Sequence, residues 1–115
     1  MSPIRLLVSD SGEQRVIECM VSTDHNTGSK TAYVVEKNMI IADENGPLSP
    51  RSIAYKMITR RNSVILQGYP IYKTDDNKAY TVPGIVGTFH ILQECMQSVI
   101  TYYCERNNLD IIQIL

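Results

Sequence analysis

The sequence predicts an α+β domain, a mostly antiparallel sheet with two helices packed on one face, in the order β-β-β-β-α-β-β-α-β. Three observations lead there. Short runs rich in Val, Ile, Thr and Tyr recur between Gly, Asn, Asp and Pro punctuation, as antiparallel strands and their turns do. Two other stretches repeat apolar residues at helical spacing. The 115 residues suit one domain, taken as 1–115, whose core is large enough to need neither disulfides nor a structural metal.

Residues 4–8 and 14–21 are predicted strands joined at Asp10-Ser11-Gly12, where glycine supplies the positive φ of a tight reversal. The polar run Thr23-Asp24-His25-Asn26-Thr27-Gly28-Ser29 reads as a loop leading to a third strand at 31–36. A fourth, at 39–42, ends at Asp43-Glu44-Asn45-Gly46-Pro47. Ser49-Pro50 then offers a capping hydroxyl and a proline at the first helical position. With Ile53, Ala54, Met57 and Ile58 on one face, a first helix is predicted over about 50–61. Residues 64–66 and 70–73 read as one strand bent at Gly68, turning through Thr74-Asp75-Asp76-Asn77-Lys78 into residues 79–82.

The strongest periodicity predicts a second helix over about 84–106, with Ile85, Val86, Phe89, Leu92, Met96, Val99, Ile100 and Tyr103 in one stripe. Ile91, Cys95 and Tyr102 widen that stripe to about 220° of the circumference, well beyond the roughly 100° that faces a single core. Asn107-Asn108 suits a left-handed helix end, and residues 109–115 read as a last strand.

Hydrophobic residues make up 43% of the chain and charged residues 20%, a globular rather than a disordered balance. No run is long enough to span a bilayer or act as a signal peptide, so an intracellular location, cytoplasmic or nuclear, is expected, with no membrane partner. Cys19, Cys95 and Cys104 are odd in number and widely spaced, which points to reduced thiols. The net charge of −1 conceals a segregation: four Lys/Arg stand against seven Asp/Glu in 1–50, six against two in 51–78, and one against three in 79–115.

The opening Ile4-Arg5-Leu6-Leu7-Val8-Ser9-Asp10-Ser11-Gly12 resembles the first strand and turn of ubiquitin-ligase adaptors of the Skp and elongin type. The likeness is confined to these residues and carries no functional motif. Those adaptors enter a helix soon after the hairpin, whereas residues 31–42 here read as extended, so no family is assigned.

Catalytic signatures are missing from the sequence. His25, His90 and the cysteines show no C-x-x-C or H-x-x-x-H spacing, so neither a metal nor a cofactor is expected. There is no G-x-S-x-G, no P-loop and no G-x-G-x-x-G, and the acidic pairs Asp43-Glu44 and Asp75-Asp76 fall in turns. A non-enzymatic role follows as the expectation. The excess apolar arc of the long helix makes self-association the leading reading: an interaction module, a homo-oligomer or adaptor with a protein partner. Ile91, Cys95 and Tyr102 are its contact residues, and the apolar final strand assists at a sheet edge. The alternative partner is nucleic acid, met by Lys56, Arg60, Arg61, Tyr72, Lys73 and Lys78, because cations neutralise phosphates and tyrosines stack on bases. Lys56 and Arg60 share a side of the predicted first helix but Arg61 lies beside its apolar face, so these cations form no continuous stripe.

Overall fold

The computed structural model describes residues 2–37, 42–43, 46–47 and 63–115. Strands β1 (Ile4–Asp10), β2 (Glu13–Thr23), β3 (Lys30–Lys37), β6 (Ser63–Lys73), β7 (Tyr80–Thr81) and β8 (Asp110–Ile114) form a curled antiparallel sheet in the order β7-β6-β3-β2-β1-β8. Two short strands, β4 (Ala42–Asp43) and β5 (Gly46–Pro47), pair with each other. One helix stands among the described residues, α1 (Leu92–Arg106), and it packs on β1, β2, β3 and β7. Among the described residues, the expected layer of two helices on a sheet is corrected to a curled six-stranded sheet with a single helix. The first predicted helix and residues 39–41 of the predicted fourth strand lie outside the described residues.

Local chemistry accounts for the hairpins. Ser11 and Gly12 both have positive φ, 52° and 87°, the pair of conformations that a two-residue turn needs to match the twist of its strands. This sets the β1–β2 register, with Leu6 opposite Ile17 and Arg5 opposite Glu18. Between β2 and β3, Asp24 builds the loop: its Oδ1 accepts from the Asn26 and Thr27 amides at 2.8 and 3.2 Å, and its carbonyl accepts from the Gly28 amide at 2.8 Å. These side-chain bonds substitute for the ladder where the strands reverse.

The helix begins at Leu92 rather than near residue 84. Gly84 and Gly87 take φ of 87° and 109°, outside the right-handed helical region. Phe89 instead bridges Tyr80, its amide donating to the Tyr80 carbonyl at 2.8 Å while the Tyr80 amide donates back at 2.7 Å. At the other end Asn108 turns left-handed, with φ of 54°, and the Leu109 amide donates to the Cys104 carbonyl at 2.9 Å, which redirects the chain into β8.

Alternation along the strands sorts the side chains. Leu6, Val8, Ile17, Cys19, Ala32 and Val34 face α1 and form the main core with Cys95, Met96, Val99, Ile100 and Cys104. On the opposite face Leu7, Val16 and Val35 are buried as well, and so is Glu18. The Glu18 carboxylate receives the Arg5 Nε at 2.8 Å, and only Arg5 of the two reaches solvent. Removing Arg5 takes one compensating contact from a buried carboxylate, and a buried charge that loses compensation lowers stability. Arg5→Ala is expected to lower stability by about 2 kcal/mol, short of the full burial penalty because Arg5 is partly hydrated. Urea denaturation at neutral pH measures it, and the double variant Arg5→Leu, Glu18→Leu should recover most of the loss.

Candidate functional site

The sequence-derived contact residues do not share one face. Ile91 precedes the helix as its N-cap and is 54% exposed. Tyr102 is half-buried, its ring edge-on to Tyr69 at 6.1 Å between centroids and beneath the Arg106 guanidinium at 5.8 Å. Cys95 is enclosed in the core, 0% exposed, and its assignment as a contact residue is corrected. The cause is the late helix start. With Ile85, Val86 and Phe89 off the helical wheel, the buried stripe of α1 recentres on Cys95, Met96, Val99, Ile100 and Cys104. Of the three residues that widened the stripe, Ile91 falls outside the helix, and so does part of the stripe itself, in which Val86 is 97% exposed.

The three thiols are inert by position. Burial pushes Cys19 up to about 12, assisted by the neighbouring Cys95 and Glu18, and pushes Cys104 up to about 11; Cys95 also moves up through burial. A thiol that stays protonated is neither nucleophile nor ligand. His25 and His90 are exposed. No group of three His, Cys, Asp or Glu side chains placed to hold a metal occurs among the described residues. Within those residues, too, no helix is long and apolar enough to cross a membrane.

Two surfaces remain with concentrated chemistry. The first is the β8 edge. β8 pairs with β1 on one side, and no described residue pairs with the other. Ile111 and Ile112 are 47% exposed and Ile114 is 70% exposed, on a strand that carries a single charge, Asp110. Beside it an apolar groove of about 260 Å³ runs between α1 and the edge, lined by Ile4, Leu6, Ile100, Ile111 and Ile114 with Gln97 at its rim. An ordinary soluble surface scatters its isoleucines; here they are contiguous with a backbone edge that no described residue pairs.

The second is a cleft of about 360 Å³ between the β2–β3 loop and β6, lined by Thr27, Ser29, Lys30, Tyr72, Lys73 and Tyr80. Lys73 sits over the Tyr80 ring, 5.3 Å from its centroid, and Lys30 Nζ donates to Thr23 Oγ1 at 3.2 Å. Tyr72 is 56% exposed, and Lys73 and Lys78 are exposed with it. Of the six residues expected to meet nucleic acid, these three belong to this end of the sheet; Lys56, Arg60 and Arg61 lie outside the described residues. Lys30 and Tyr80 were not singled out by the sequence. Their signal was available only through register, which sets Lys30 opposite Ile71 and Lys73 opposite Tyr80.

Comparisons with protein-family models, with curated proteins and with solved structures give no match to this chain.

Proposed function

We propose that the chain is a non-enzymatic protein-interaction module that self-associates, and that it works inside the cell, in the cytoplasm or nucleus. One observation carries the reading: β8 exposes three isoleucines along a sheet edge that no described residue pairs. Covering the exposed part of each side chain favours association by about 1–2 kcal/mol. An added strand also satisfies backbone groups that water otherwise solvates. The core thiols suit a reducing compartment, where they need no partner.

Nucleic acid is the second reading, supported by the Lys30, Tyr72, Lys73 and Tyr80 cleft. The same loops carry Asp24, Asp75 and Asp76, which offset the cations, so the first reading stands ahead. Light scattering over a wide concentration range separates the two. Self-association raises the mass from 13.0 kDa toward that of a dimer. A mass that stays at the monomer value, together with oligonucleotide binding that weakens with salt, would favour the second reading.

A further inference from the structure

We infer that the cavity between β6 and the C-terminal end of α1 is a binding site for a small aromatic monocarboxylate, with Arg106 holding the carboxylate and the Tyr69 and Tyr102 rings holding its body. The cavity measures about 550 Å³, a size that suits a small molecule, and it shares no residue with the β8 edge or its groove. Tyr69 enters it from β6, where the register sets it opposite the core residue Ala32. Tyr102, Tyr103 and Arg106 enter from the last turns of the helix. The Tyr69 and Tyr102 rings meet edge-on, 6.1 Å apart between centroids and at 85°, so one offers a face where the other offers an edge. The helix end is tied down beside them: the Asn107 amide and its Nδ2 both donate to the Tyr103 carbonyl, at 3.1 and 2.9 Å.

Charge selects the ligand. Arg106 is the one charged residue lining the cavity, and among the described residues it has no ion-pair partner. Its neighbour Glu105 borders a different groove, with Gly84 and Gln97. The guanidinium lies over the Tyr102 ring, 5.8 Å from its centroid. Stacking of this kind uses the face of a guanidinium and leaves its N–H edge free to meet a carboxylate through two parallel hydrogen bonds. The Tyr69 hydroxyl has no hydrogen-bond partner among the described residues either. Burial pushes its pKa up, Tyr102 and Tyr103 add to the rise, and Arg106 opposes it, so a protonated phenol close to the guanidinium supplies a further donor to an anion. One cation balances one negative charge. A phosphate monoester brings close to two, beside a helix end whose last carbonyls already carry negative partial charge. A neutral ligand gives the guanidinium edge no charged acceptor. The two rings account for the aromatic body, which packs against them face to edge where an aliphatic one cannot.

Phenylacetate is the probe. Titrated into the native chain and followed by amide chemical shifts, it is expected to bind saturably and to move residues 67–69 and 102–107 together, leaving Lys30 and Lys73 unmoved. Phenylacetamide, which lacks the charge, and phenyl phosphate, which carries a second one, are each expected to bind about tenfold more weakly. Arg106→Gln should weaken phenylacetate binding to the same extent with the circular dichroism unchanged, and Tyr69→Phe should weaken it by a smaller factor. On the native chain alone, absence of saturable binding, shifts confined to the cleft of Lys30 and Lys73, or equal affinity for phenylacetamide overturns the site. Undiminished binding by a folded Arg106→Gln does the same. Tighter binding of phenyl phosphate overturns the assignment to a monocarboxylate, and cyclohexylacetate binding as tightly as phenylacetate overturns the aromatic part of it.

Discussion

Ile17→Ala is expected to destabilise the fold by about 4 kcal/mol, the largest loss among single core truncations here. Ile17 is 0% exposed at the centre of β2, opposite Leu6, and belongs to the cluster that α1 covers through Met96, Val99 and Ile100. Both strands flanking it are held by their own ladders and the helix rests across them, so the site has little freedom to collapse around a cavity. The penalty therefore includes the cavity as well as the lost transfer energy of three carbons. Thermal and urea unfolding of the variant measure it. A loss below about 1 kcal/mol would mean that the helix does not seat on this part of the sheet.

Alkali is expected to unfold the protein in a window set by its thiols. Cys19 titrates near the ordinary thiol value of 9.0 when unfolded and at about 12 when folded, with Cys104 raised in the same sense to about 11. Above pH 9 the unfolded chain releases these protons while the folded chain keeps them, so the stability that burial gives is complete below pH 9 and is lost as pH rises toward 12. The slope for Cys19 is about 1.4 kcal/mol per pH unit, which amounts to about 3 kcal/mol by pH 11. Tyr69 and Tyr103 shift upward through burial too and add to the fall. Denaturation midpoints between pH 8 and 11 should track this decline. Cys19→Ala, less stable at neutral pH, should show a shallower one, and an unchanged slope would remove Cys19 as the cause.

Both expectations follow from how the molecule is packed. A helix seals one face of the sheet over buried thiols, and β8 keeps three isoleucines in water beside it. The proposed contact therefore lies beside the helix and not along it. Ile100 and Ile114 both border the groove where the two elements meet, so a second strand added at β8 would extend the wall of that groove.

The sequence by itself determined the local reversals and the strand-forming segments. Asp10-Ser11-Gly12, Thr74 to Lys78 and Asn107-Asn108 fall at chain turns because their backbone demands are met within a few residues, by glycine, by asparagine and by Asp or Thr side chains. Periodicity found the α1 stripe for the same reason. What only the tertiary structure decided was how far the helix extended and which surface remained open. Ile85, Val86 and Phe89 continue the helical spacing, yet the competing bridge from Phe89 to Tyr80 and the positive φ of Gly84 and Gly87 hold them out of the helix. Hydrophobic spacing is blind to such long-range backbone pairing. Likewise the pairing of β8 with β1, strands at opposite ends of the chain, cannot be read from either strand alone. Sheet neighbours are chosen by the core they jointly bury, and that choice leaves the isoleucines of β8 on an edge.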